Sequence, residues 1–151
     1  MKTALTLLLA LLAGGALADD GNARRSAERE HVQTLLLAQP SADAQCGQQA
    51  GNQAELKACL ARLLLQGEQD RLNAEAAALA AMKQLDRVLQ RQHATPALQK
   101  DIKAYAAYRK AHCAWVAASY GSGAGAGIAE AACLIDLDRA RAHTFSIYYM
   151  R

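Results

Sequence analysis

Aromatic residues are scarce in this chain, with one Trp, one Phe and five Tyr among 151 residues. The alanine- and leucine-rich remainder favours helix over sheet. Basic clusters are missing as well. Seventeen Lys and Arg are scattered among fourteen Asp and Glu, a formal charge of +3. That pattern lacks the basic stripe nucleic-acid binding requires. Beyond the first twenty residues no apolar run is long enough to cross a membrane. His31, His93 and His143 have no neighbour at metal-ligand spacing, so no metal or cofactor site is expected.

The chain opens "MKTALTLLLALLAGGALADD". A positive start, an apolar stretch and a small-x-small site at residues 16–18 make a secretory signal peptide over residues 1–18, too short for a membrane span. No cysteine stands at the cleavage point, so no lipid anchor is expected. The mature protein is expected to be periplasmic or secreted and slightly positive, since Lys2 leaves with the leader. Residues 19–44 are mostly polar. They read as an N-terminal arm, either a short helix over residues 24–39 or a loose segment, ahead of one domain over residues 45–151.

Helical periodicity dominates that domain. Asn52 with Glu55 three residues on gives a capping-box start. Leu56, Cys59, Leu60, Leu63 and Leu64 then fall on one face. Gly67 interrupts the run at some cost, and Leu72, Ala76, Leu79, Met82, Val88 and Leu89 resume it. One bent helix or two successive ones fit. Thr95 and Pro96 suit a cap and the first helical position. Leu98, Ile102, Tyr105, Arg109, His112 and Val116 form the next face. A last helix opens near Ile128 and carries Ala131, Ile135, Ala142, Phe145 and Tyr149. The expected fold is all-α, with disulfide-clipped helical hairpins forming a small elongated bundle.

The segment "GSGAGAG" (121–127) has no strand before it and no lysine after it, so it is no phosphate cradle. It reads as the bend of a hairpin. Four cysteines in an exported chain imply two disulfides, with three possible pairings. The helix ends choose among them. Cys113 lies seven residues before Tyr120 and Cys133 six after Gly127, each roughly 10 Å from the bend along its helix. Cys46 and Cys59 flank Asn52 in the same way. The expected pairs are Cys46–Cys59 and Cys113–Cys133.

No enzyme is expected. His112 and Cys113 point about 100° apart on a helix and form no nucleophile–base pair. Asp136 and Asp138, among Arg139 and Arg141, read as a solvated charged face held ionised by the arginines. Trp115, Tyr108 and Tyr105 invite comparison with an aromatic sugar shelf. Core packing is the expectation for Tyr105, while Tyr108 and Trp115 stay open.

The runs "LKACLARLLLQGEQDRLN" (56–73), "AYAAYRKAHC" (104–113) and "AACLIDLDRARA" (131–142), with the glycine loop, resemble the lysozyme inhibitor LprI-like domain of exported bacterial proteins. Cys59, Leu72, Asn73, Tyr108, Arg109, Cys113, Gly121, Ser122, Gly123, Cys133 and Arg141 fit its pattern. Ala76, Ile102, Tyr105 and Asp138 depart from it, standing where the pattern has an aromatic, Gln, Trp and Thr. The resemblance implies a helical exported protein whose partner is a lysozyme or another wall-associated protein. Its contact surface would be Tyr120, Gly121, Ser122, Gly123, Ala124 and Gly125, with Ser122 donating a hydrogen bond inside a sugar cleft. The competing class is a structural or stress-related envelope protein that holds a small ligand or wall component.

Overall fold

A computed structural model describes residues 40–149; the expected signal peptide (residues 1–18), residues 19–39 of the expected arm and the last two residues lie outside the described part. The compact unit begins at Pro40. It holds four helices: α1 (Ala42–Gly47), α2 (Gln53–Leu89), α3 (Ala94–Ser119) and α4 (Ala124–Tyr149). No strand occurs among the described residues.

The capping box at α2 forms with one change of partner. Asn52 Oδ1 accepts from the Glu55 amide at 3.0 Å, and Glu55 Oε2 reaches back to the Gly51 amide at 2.8 Å. Two otherwise orphaned donors are satisfied. From there α2 runs 37 residues without a break. Gly67 is therefore an interior helical residue, and α4 passes close to it. A Cβ there would lie 3.5 Å from Asp138 Cβ. The space at this crossing would hold a methyl group in ordinary contact and nothing much larger, and the glycine ends no helix.

Gln90, in the left-handed conformation at φ 49°, ends α2. The start of α3 differs from expectation. Thr95 is no cap, and His93 at the cap position makes no side-chain capping bond. Asp86 of α2 replaces both, accepting from the amides of Ala94 and Thr95 at 2.9 Å each and of His93 at 3.3 Å. A carboxylate at a helix N-terminus faces the positive end of the dipole. These bonds, led by those from Thr95, lower its pKa from 3.8 to about 2.

Helix α4 packs on both α2 and α3, and α1 packs on α2 and α4. Leu60 shares a cluster with Ile135, Arg71 bonds Asp138, and Ala78 shares a cluster with Phe145. Helices α2 and α4 are thus parallel, with α3 antiparallel to both. Two apolar clusters result. One gathers Ala42, Cys46, Cys59, Leu60, Ala132 and Ile135; the other gathers Ala74, Ala78, Leu98 and Phe145. Burial of such side chains stabilises by about 25 cal/mol per Å² of apolar surface. Between the clusters along the bundle lie charges.

Candidate functional site

The hairpin of α3 and α4 turns through four residues only, 120–123, since α4 opens at Ala124. Ala124, Gly125 and Gly127 are helical, so the last helix starts four residues before Ile128. Small side chains do not by themselves break a helix whose next turn is anchored by tertiary packing. Gly121 and Gly123 do the turning, at φ 73° and 147°, where a Cβ is costly. Residues 120–125 are all exposed, and Tyr120 stands 65% exposed. None of them carries a charge.

Two devices hold the base of this tip. Cys113 of α3 is bonded to Cys133 of α4 with Cα atoms 5.6 Å apart, and Cys46 is bonded to Cys59 at 5.7 Å. The second device is a buried ion network that the sequence reading missed. Asp138 is completely buried, which corrects its reading as part of a solvated face. It accepts from Arg71 Nε of α2 at 2.9 Å and from an Arg109 terminal nitrogen of α3 at 2.6 Å. Arg71 also pairs with Glu75 at 2.9 Å. Arg141 bonds Glu75 at 3.3 Å and Asp101 of α3. The Arg141 guanidinium lies over the rings of Tyr105 and Phe145, 4.4 Å from each centroid. Three helices are tied at one level by three arginines and three carboxylates.

The signal was present in the residue spacing. Arg71 and Glu75 continue the inward row of Leu60, Leu64 and Gly67 along α2 at helical intervals. An apolar-only reading instead moved to Leu72, Val88 and Leu89, which are exposed. Asp136 is half-buried on α4 and accepts from the Ala42 amide at 2.9 Å. Burial raises its carboxyl pKa against that bond and the pull of Arg139.

Of the family-pattern positions, Arg109 and Arg141 enter the network, while Leu72 and Asn73 lie on the exposed side of α2. Asn73 accepts from Gln69 at 2.9 Å. Tyr105 is half-buried, and its hydroxyl donates to the Leu137 carbonyl at 2.7 Å. Burial first, then the charge of Asp138, pushes its pKa up to about 12, so it remains a neutral donor. Tyr108 is 51% and Trp115 65% exposed. Among the described residues, no group of three or more His, Cys, Asp or Glu is placed to hold a metal, and no helix is long and apolar enough to cross a membrane.

These features define a disulfide-clipped helical bundle with an uncharged glycine turn at one end. The sequence profile of the family described as Lysozyme inhibitor LprI matches residues 44–145. The chain belongs to that family. No curated protein and no solved structure gives a significant match to it.

Proposed function

We propose that this chain is an exported protein that binds lysozyme-type wall hydrolases and blocks their sugar cleft with the tip at residues 120–125. One observation carries the reading: an uncharged, exposed turn, in which small residues 121–125 follow Tyr120, sits on two helices joined by the Cys113–Cys133 bond. Small residues fit a narrow cleft. Ser122 supplies a hydroxyl donor to an acidic residue within it. A base held by a disulfide and an ion network lowers the ordering cost on binding.

Charge steering contributes little. The chain is slightly cationic, as animal lysozymes are as a class, and the tip carries no charge. Affinity then rests on close contact, and association depends weakly on ionic strength. The test is a wall-lysis assay with a panel of lysozymes. Micromolar protein slows lysis by at least one of them, and Ser122→Trp, which is too bulky for the cleft, removes the effect with the fold intact. Unimpeded lysis across the panel sinks the proposal.

A further inference from the structure

A second surface lies along α3, away from the turn. Tyr108, His112 and Trp115 follow one another at helical intervals. The Tyr108 and His112 rings are stacked, with centroids 5.2 Å apart and planes 24° from parallel. The His112 and Trp115 rings are 5.6 Å apart and tilted by 46°. At the inner end Tyr105 meets Tyr108 at 6.4 Å. The rotational phase of α3 is set elsewhere. Arg109 is drawn in to Asp138, and Cys113 to Cys133. At about 100° per residue, Tyr108 and Trp115 then lie on a common flank roughly 130° from that anchored line. The outer rings are therefore exposed because the helix cannot roll.

The surroundings of the ladder select its ligand. From Ala104 to Ser119, α3 carries two charged residues, Arg109 and Lys110. Arg109 is turned inward, and Lys110 points about 200° around the axis from Tyr108. Ala104, Ala107, Ala111, Ala114 and Ala118 are exposed beside the rings. They offer neither charge nor bulk. A protein interface of any strength surrounds its aromatic anchors with further large packed side chains, and beside these rings α3 offers mostly alanines. The strip is narrow and its rings carry no charge of their own, stepping over two helical turns, about 10 Å.

We infer that the Tyr108–His112–Trp115 ladder is a binding site for an uncharged glycan, such as a β-linked N-acetylhexosamine chain. A pyranose presents a face of C–H groups with slight positive charge, which complements the negative face of an aromatic ring. Its hydroxyls and amides point outward and stay in water. An uncharged sugar leaves no ion unpaired against rings that carry no charge of their own. The ladder shares no residue with the tip, so this site stands whether or not the tip blocks a hydrolase.

Trp115 is the single tryptophan of the chain, so its fluorescence reports this site alone. Titrating the intact protein with the N-acetylglucosamine tetramer produces a saturable change in emission. Tyr108→Ala weakens that binding about tenfold, equivalent to about 1.4 kcal/mol. Trp115→Ala, followed by calorimetry, weakens it at least as much. Both variants keep the helical circular dichroism and unfolding midpoint of the parent, because the rings are exposed. Ser122→Trp, also followed by calorimetry, binds the tetramer unchanged. An emission that ignores the tetramer up to its solubility limit overturns the inference. So does a Trp115 signal that follows protein concentration alone, which assigns the ladder to a second copy. Loss of lysozyme inhibition in Tyr108→Ala without any glycan binding overturns it too, by assigning the ladder to a protein partner.

Discussion

Replacing Asp138 by Ala is the most direct perturbation of the bundle. The carboxylate is fully buried and accepts from two arginines on two helices. Its removal leaves Arg71 with Glu75 as a close partner and Glu68 at 3.7 Å, and takes from Arg109 the carboxylate it donates to. Arg109 is already imperfectly satisfied, since its buried Nε has no hydrogen-bond partner. Breaking a buried pair from one side costs about 3–5 kcal/mol, because the remaining charge keeps its desolvation penalty. The cavity left by the side chain adds to this in the same direction. Denaturant unfolding with the disulfides oxidised measures the change, and the thermal midpoint falls by at least about 10 °C. A solvated charge on an exposed face would shift stability by no more than about 0.5 kcal/mol. A loss below about 1 kcal/mol therefore refutes the buried network. Replacing Arg71, Arg109 and Asp138 together by apolar residues restores part of the loss, since no charge is then left buried without a partner.

Asp86→Asn weakens the cap on α3 at neutral pH. The folded-state pKa is depressed to about 2 from 3.8, so the carboxylate's contribution is complete above about pH 4 and is lost as pH falls through about 2. The stability gap between parent and variant closes over that window; a gap that persists below it assigns the effect to something other than the charge. Gly67→Ala stabilises by about 0.5–1 kcal/mol through helix propensity. The new methyl meets Asp138 Cβ at an ordinary 3.5 Å, whereas Gly67→Leu collides with α4 and destabilises. Equilibrium unfolding of both variants checks this, and a destabilising Ala means that the crossing is tighter than described.

Much of the architecture was readable from local pattern. The Asn52–Glu55 start, the inward faces of Leu56 to Leu64 and of Leu98 to Val116, and the turn at Gly121 and Gly123 each follow from residues within a few positions of one another. The cap of α3 did not, because Asp86 reaches it across a turn while Thr95 offered a nearer candidate. In the second half of α2, Leu79 and Met82 do pack inward, while Leu72, Val88 and Leu89 face out for a related reason. A row containing Arg71 and Glu75 looks solvent-facing until their partners on α4 are known.

The sequence alone determined that the described chain is helical and where its hairpin bends, because helix propensity, capping and glycine freedom act over short stretches. Tertiary structure alone decided which charges are buried and which rings face water. Asp138 becomes an interior anion only where α2 and α3 bring their arginines to it. Tyr108 and Trp115 stay exposed only because that same anion, with Cys133, fixes the roll of α3. Charge burial is a property of distance between helices, and spacing along one helix does not contain it.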